Sequence, residues 1–177
     1  MIYQERCEKS RNLYREKLKK YRPSQIIYID ESGIDSNQSS PYGWSQKGER
    51  CPGIRPGKRQ KRLSLIGALC QQRFFAPLVY TGYCTARLIE AWLEKCLLPE
   101  VEPGQVIIMD NAPVHNSSKI RELIAQAGCE LLFLPTYSPD LNPIEHWWHK
   151  IKTAIRRELS NFDFDLDQAI DAAFQYL

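Results

Sequence analysis

Short apolar runs alternate with longer amphipathic stretches along the chain, which is the pattern of an α/β protein. The runs "IIYID", "QVIIMD" and "ELLFLP" are apolar on both faces, as in strands buried at the centre of a sheet. "RLSLIGALC" and "RFFAPLVYTG" are separated by two glutamines and predict a β-hairpin, in which Pro77 favours an edge or a bulge. The predicted strands cover residues 26–30, 62–70, 73–82, 105–110 and 130–135.

Helical periodicity predicts helices that begin near residues 3, 85, 117, 142 and 165. Thr85 is a typical N-cap, Gly128 suits the end of the third helix, and Asn142 followed by Pro143 is typical of a helix start. In the fourth helix we expect an inward stripe of Ile144, Trp147, Ile151, Ala154, Ile155 and Leu159.

The order of these elements predicts an α/β fold with a mixed five-stranded sheet and helices on both faces. A length of 177 residues fits one domain with a substantial core. We expect residues 1–24 to form a charged helix and linker, and residues 25–177 to form the domain itself.

Composition excludes several classes of protein. The chain is not depleted in apolar residues, its six cysteines are scattered without a CxxC pair, and no apolar run approaches the length of a membrane span. His146 and His149 lack the further ligands of a zinc site. We therefore expect a cytoplasmic protein in a reducing compartment, with no membrane partner. The net charge is only +3, but residues 47–62 carry many Lys and Arg against one Glu, and such a patch attracts phosphates. A solvated loop explains that patch equally well.

Three acids stand where strands end or a helix begins. Asp30 and Asp110 close two apolar runs, and Glu145 lies in the first turn of the fourth helix. If the two strands are parallel neighbours, both aspartates lie at one edge of the sheet, where ligands gather. An all-carboxylate site suits Mg²⁺ or Mn²⁺ better than Zn²⁺. Local roles also remain open: Asp30 and Asp110 suit turns, and Glu145 suits a capping box with Asn142.

Three motifs in order carry a resemblance to a known family. "YIDESG", "MDNAPVHNS" and "LPTYSPDLNPIEHWWHKIK" resemble the catalytic core of DDE-type transposases, specifically the bacterial insertion-sequence branch of the mariner superfamily. The 34 residues between Asp110 and Glu145 match the spacing of that branch. The resemblance implies a ribonuclease H-like fold and a catalytic triad of Asp30, Asp110 and Glu145. It further implies Mg²⁺, with Mn²⁺ as a substitute, cleavage at transposon ends, and joining of the freed 3′-hydroxyl to target DNA.

Further candidates concern contact with DNA. Lys47 and Arg50 lie in "YGWSQKGER", which resembles a family segment, and solvated turn residues are the alternative. His115 fits the family's "DNA…H" pattern, so it would contact a phosphate, orient a ligand of the metal, or cap the helix near 117. Trp147 is expected to pack inward, and Trp148 either covers the sheet edge or stacks on DNA. Glu31 should point away from Asp30, which favours a structural role. The complete set of DNA-binding candidates is Lys47, Arg50, Lys58, Arg59, Lys61, His115, Trp148 and Lys152.

One feature of the family is missing from this expectation. Members carry an N-terminal helix-turn-helix domain, whereas only one charged helix precedes the motifs here. Either the gene is truncated, or a separate helix-turn-helix polypeptide is a further partner that reads the DNA. The resemblance also implies DNA as partner, a homodimer in the working complex, and association with the bacterial nucleoid. A stand-alone ribonuclease H-like metal nuclease and a catalytically idle DNA-binding remnant are the alternatives.

Overall fold

The computed structural model describes residues 7–35, 44–52, 62–163 and 165–175, and in these ranges the chain forms one five-stranded sheet. The spatial order of the strands is β3-β2-β1-β4-β5. The mixed α/β class predicted from the sequence is confirmed. The strands are β1 (Ile26–Asp35), β2 (Arg62–Cys70), β3 (Arg73–Tyr80), β4 (Val106–Met109) and β5 (Glu130–Phe133).

The antiparallel half of the sheet is the predicted hairpin. β2 pairs with β1 on one side and with β3 on the other, and β3 forms the edge of the sheet. The β2–β3 register shifts between Ile66 and Ala68, across from Pro77, which cannot donate to the ladder. The Gln-Gln turn is confirmed, and Gln71 occupies it with a positive φ of 53°. The sequence therefore predicted both the hairpin and its irregularity.

The parallel half places strand ends side by side. β1 runs parallel to β4 from the pair Ile26–Val106 to the pair Tyr28–Ile108, and β4 runs parallel to β5. All four residues of β4 are buried, because helices cover both of its faces. β1 is longer than predicted, since it continues to Asp35 in its pairing with β2.

Helices cover both faces of the sheet as expected. On one face lie α2 (Ala86–Trp92), which continues as a π-helical stretch (Leu93–Leu97), and α3 (Ser118–Gln126). On the other face lie α4 (Ile144–Glu158) and α5 (Leu166–Phe174). The N-terminal helix α1 (Glu8–Leu18) packs through Tyr14 against Val106, Ile108 and Leu134. Within the described residues, none of the helices combines the length and the apolar character needed to cross a membrane.

The inward face of α4 differs from the prediction. Ile144, Trp148, Ile151 and Ile155 are buried, whereas Trp147 is half-buried. Both 144-147-151 and 144-148-151 fit helical spacing, so the sequence alone did not separate the two tryptophans. The preference for Trp147 as the core residue was wrong. Trp148 is the fully buried tryptophan of the two, with its ring edge-on to Phe74 at 5.4 Å, whereas Trp147 is partly buried against the same cluster.

Candidate active site where two parallel strands diverge

Asp30 and Asp110 lie at the same level, just beyond the parallel pairing of β1 and β4. The last pair is Tyr28–Ile108, and each aspartate follows its member of that pair by two residues. Side chains alternate along a strand, so the aspartates project on the face that carries Tyr28 and Ile108. The predicted parallel neighbours are confirmed. Asp30, however, lies within β1 opposite Gly67, so the expectation that it ends its strand was wrong.

All three predicted acids line one cavity of about 380 Å³. Asp30 and Asp110 line one side, and Glu145 lines another. The remaining wall comes mainly from the loop between β5 and α4. The structure thus brings together three side chains that are remote in the sequence. The other lining residues are Asn111, Ala112, Leu134, Pro135, Thr136, Tyr137, Ser138, Pro139 and Asn142. In the described ranges, no three His, Cys, Asp or Glu side chains form a ready-made metal cluster.

Asp30 is a half-buried carboxylate in contact with a buried indole. The Nε1–H of Trp148 donates to its Oδ2 at 3.1 Å. Burial, together with the negative charges of Glu145 and Glu31, raises the pKa of Asp30 to about 7. The hydrogen bond from Trp148 opposes this shift, because it stabilises the ionised form. Asp30 therefore lies in a site with excess negative charge.

Asp110 is held by its own turn and by a histidine. Its Oδ1 accepts a hydrogen bond from the backbone N–H of Ala112 at 3.0 Å, which is the Asx-turn left open by the sequence. The same oxygen contacts Nδ1 of His115. This hydrogen bond lowers the pKa of Asp110, although partial burial acts against it. Asp110 thus remains ionised beside the more easily protonated Asp30.

His115 links Asp110 to a fourth acid that sequence reasoning undervalued. The imidazole is 3% exposed, and its Nε2 lies 2.8 Å from Oε1 of Glu31. Burial alone would lower the pKa of His115, but hydrogen bonds with Asp110 and Glu31 raise it to about 10. The imidazolium therefore bridges the carboxylate of Glu31 in β1 and that of Asp110, which follows β4. No sequence signal joined Glu31 to Asp110, since they are 79 positions apart and meet only through the fold.

The alternatives proposed for His115 are now separated. Ser117 caps α3, accepting from the backbone N–H of Ile120 at 3.1 Å, so His115 does not cap that helix. Its burial also removes it from the surface that a DNA phosphate would approach, and the expected phosphate contact is not available in this structure. The arrangement matches the remaining expectation, in which His115 orients the side chain of Asp110.

Glu145 lies in the first turn of α4, where the positive end of the helix dipole favours a carboxylate. The N-cap residue is Pro143 and no side chain caps the helix, so the expected Asn142 cap and its capping box with Glu145 were wrong. Asn142 is 6% exposed and instead accepts the backbone N–H of Glu145 through its carbonyl oxygen at 3.2 Å. Asn142 is buried among the residues of the loop and lies one residue before the N-cap position, which Pro143 occupies.

Several predicted DNA contacts can now be located. Lys152 lies further along α4 than Glu145 and is half-buried. Burial and the nearby Arg156 lower its pKa, whereas Glu145 and Asp30 act to raise it. Lys47 and Arg50 are exposed in the segment 44–52. Trp148 is 2% exposed and covered by Phe74, so its expected stacking on DNA is wrong for this structure. Lys58, Arg59 and Lys61 lie outside the described residues.

The model of the DDE superfamily endonucleases matches residues 25–166, a span that includes all three acids of the cavity. This chain belongs to the DDE superfamily endonuclease family. The matched span starts immediately before β1 and ends at the start of α5, so α1 lies outside it. The family predicted from the three motifs is therefore confirmed.

Curated relatives of this DDE superfamily endonuclease include two nematode transposases. The chain is 34% identical over 86 residues to the Tc1 transposase of Caenorhabditis elegans, covering 48% of this chain and 32% of that protein. It is 40% identical over 67 residues to the Tcb2 transposase of Caenorhabditis briggsae, covering 37% of this chain and 24% of that protein. The chain thus spans about a quarter to a third of the length of these relatives. Membership of the bacterial insertion-sequence branch stays a prediction.

Solved structures establish the fold of this DDE superfamily endonuclease. A Mos1 mariner paired-end complex with Mn matches with a TM-score of 0.65 at 18% identity, covering 98% of this chain and 62% of that chain. The catalytic domain of Mos1 transposase matches with a TM-score of 0.60 at 17% identity, covering 98% and 90%. The catalytic core of BIV integrase matches with a TM-score of 0.52 at 12% identity, covering 85% and 80%. The predicted ribonuclease H-like fold is confirmed.

Proposed function

We propose that this chain is the catalytic domain of a transposase, which cleaves DNA phosphodiester bonds at transposon ends and transfers the freed strand into target DNA. The observation that carries the proposal is the convergence of Asp30, Asp110 and Glu145 on one cavity in a member of the DDE superfamily endonucleases. The Tc1 and Tcb2 relatives are transposases, and the aligned part of each supports the same activity here.

The donor set of the cavity fits divalent cations. Three carboxylates, and no thiolate, line it, which is the chemistry of a Mg²⁺ or Mn²⁺ site. The negative charges of Glu145 and Glu31 add to burial in raising the pKa of Asp30, and bound cations would relieve that repulsion. In this proposal Asp30, Asp110 and Glu145 hold two Mg²⁺ ions. When bound, such ions activate the attacking oxygen and stabilise the leaving oxygen of the phosphodiester.

Protein groups around the acids have supporting roles in this proposal. Trp148 holds one oxygen of Asp30, and His115 holds one oxygen of Asp110. Each contact keeps its aspartate in one orientation. The direction of the second carboxylate oxygen is thereby fixed as well. Lys152 lies within electrostatic reach of Glu145 and Asp30, and is placed to contact a phosphate of DNA that enters the cavity.

The partners of the domain follow from the same proposal. Transposon-end and target DNA are the substrates, and Lys47 and Arg50 contribute exposed positive charge. Related solved structures are described as paired-end and strand-transfer complexes of Mos1, which supports a homodimer acting on two ends. In this proposal a separate helix-turn-helix polypeptide would provide base readout. Because its substrate would be chromosomal DNA, we propose that the protein acts at the nucleoid in a bacterial cytoplasm.

Replacement of Asp110 by Asn tests the proposal. The substitution keeps the size of the side chain and removes its charge, so Mg²⁺-dependent cleavage of DNA that carries the element's terminal repeats should fall by at least about 10³-fold. Circular dichroism should show the same fold and a similar melting temperature. Asp167→Asn in α5, outside the cavity, is the matched control and should cut at the normal rate. Normal cutting by D110N would refute the assignment of the acids.

A strand-transfer assay separates the transposase from its two alternatives. A transposase joins a pre-cleaved 3′-hydroxyl end to a target plasmid, whereas a stand-alone nuclease of this fold cuts without joining. A catalytically idle remnant would bind DNA and slow its migration in a gel, but would not cleave it with either Mg²⁺ or Mn²⁺. Joining of ends that depends on Asp110 is the result that the proposal expects.

A further inference from the structure

An ion pair between a buried arginine and a half-exposed aspartate connects the N-terminal helix to the loop that forms the wall of the cavity. The side chain of Arg11 in α1 is 1% exposed, and it donates two hydrogen bonds to Asp140. Nη1 lies 2.9 Å from Oδ1, and Nη2 lies 2.6 Å from Oδ2. Such a two-pronged contact fixes both the distance and the orientation of the carboxylate. Glu8 contacts the same guanidinium, with its Oε1 3.5 Å from Nε.

Backbone hydrogen bonds on both sides of Asp140 lead towards Glu145. Asp140 lies in a 3₁₀ turn (Pro139–Leu141), and the bonds of this turn are followed by one from the start of α4. A contact that fixes Asp140 therefore helps to fix the loop from which α4 begins. The bonds are Leu141 N–H to Ser138 O at 3.0 Å, Asn142 N–H to Pro139 O at 2.9 Å, and Glu145 N–H to Asn142 O at 3.2 Å.

Helix α1 is a fixed support for this contact. Tyr14, three residues from Arg11, is 4% exposed and packs on Val106 and Ile108 of β4, the strand that leads to Asp110. Leu134, at the start of the cavity wall, belongs to the same cluster. The helix therefore contacts the strand that precedes one acid and, through Arg11, the loop that precedes another.

Net stability is a weak explanation for the pair. Arg11 loses the solvation of its charge on burial, and the half-exposed Asp140 offsets only part of that cost, so the net gain in stability is small. What an apolar pair cannot supply is the fixed orientation of a carboxylate on a loop. The neighbouring loop residues Ser138 and Asn142 are also buried, at 4% and 6% exposure, so the loop is held on both sides of Asp140.

We propose that Arg11 and Asp140 are positioning residues, through which α1 holds the loop 138–145 so that Glu145 faces Asp30 and Asp110. The helix lies outside the part of the chain matched by the family model. The consequence for catalysis rests on the proposed function, whereas the mechanical connection between helix and loop does not.

Hydrogen–deuterium exchange of the full-length chain tests the connection without any assay of activity. Asp140→Asn removes the charge of the acceptor, and Arg11→Lys keeps the charge but removes the two-pronged donor. In both variants, exchange of the amides of Leu141, Asn142 and Glu145 should rise by about tenfold, because local opening becomes easier. Exchange in β1 and β4 should not change.

Glu16→Gln is the matched control. Glu16 lies on the exposed side of the same helix and pairs only locally, with Lys19 at 2.6 Å. Loop exchange in this variant should equal that of the unmodified chain. Unchanged loop exchange in D140N and R11K would overturn the proposal, as would an equal rise in the loop and in β1 and β4, which indicates general destabilisation.

The catalytic consequence is measured separately. In D140N and R11K the rate of Mg²⁺-dependent cleavage should fall by about tenfold, with E16Q unaffected and melting temperatures within a few degrees of each other. Normal cleavage by both variants would overturn the positioning role even if the loop exchanges faster. If the unmodified chain does not cleave DNA, the proposed function fails, and the exchange experiment still decides whether α1 holds the loop.

Discussion

At the scale of single residues, the site depends on which protein groups hold the acids. The indole of Trp148 donates to Asp30, and the imidazole of His115 contacts Asp110. Both rings are almost fully buried, so neither moves without repacking its surroundings. The orientation of each aspartate is therefore set from inside the protein, before substrate or cation arrives.

The hydrogen bond from Trp148 is expected to matter more than the bulk of its ring. Trp148→Phe keeps an aromatic ring beside Phe74 but removes the donor, so Asp30 loses its anchor. We expect the cleavage rate to fall about tenfold or more, and stability to fall by about 1–2 kcal/mol. Steady-state cleavage assays and thermal unfolding check both values.

Trp147→Phe is the control for that prediction. Trp147 stacks on the same Phe74 with ring centroids 6.0 Å apart, but the hydrogen bond to Asp30 comes from Trp148. Its replacement should lower stability by a similar or smaller amount while leaving the cleavage rate within about twofold. An equal loss of rate in both variants would mean that packing, and not the donor, explains the effect.

At the scale of elements, the site depends on how α4 packs against the antiparallel half of the sheet. Gly67 of β2 lies opposite Asp30, and the absence of a side chain there lets the ring of Phe74 lie close to the strand. That ring in turn packs against Trp148 and Phe174. The packing of α4 against the sheet near Asp30 thus depends on the absence of a side chain at Gly67.

Gly67→Ala should disturb this packing. A β-carbon there would lie 2.4 Å from Cζ of Phe74, so the ring must shift, at a cost of about 1–3 kcal/mol in the free energy of unfolding. Gly33→Ala is the matched control, because its β-carbon would meet the mobile end of Arg62 at 2.6 Å and should cost less than about 1 kcal/mol. Urea unfolding measures both. Equal losses would show that Phe74 is free to move aside.

The sequence predicted elements better than it predicted contacts between them. Buried β-branched runs, the Gln-Gln turn and Pro77 located the strands, because these signals act locally. The two stripes of α4 were equally periodic, and both tryptophans contact Phe74, so only the packing of the folded chain shows that Trp148 is the buried one. The Asn142 cap failed because burial of that residue competes with capping. Local chemistry is readable, whereas competition between tertiary contacts is not.

At the scale of the whole molecule, acids and bases are divided between neighbouring surfaces. The cavity gathers Asp30, Asp110 and Glu145, while Lys152 lies beside it on the helix that carries Glu145. Motifs and spacing predicted the convergence of the acids, because the family resemblance fixed their order. The links from Glu31 through His115, and from Arg11 to Asp140, span long stretches of sequence without a local signal.

The measurement that tests the account most directly is a crystal structure of the chain soaked in Mn²⁺, with anomalous difference maps. The account predicts a Mn²⁺ peak in the cavity, coordinated by oxygens of Asp30, Asp110 and Glu145 at about 2.1–2.2 Å. The same soak of D110N should give a weaker peak or none. A cavity without a peak in the unmodified chain, at Mn²⁺ concentrations that support cleavage, would contradict it.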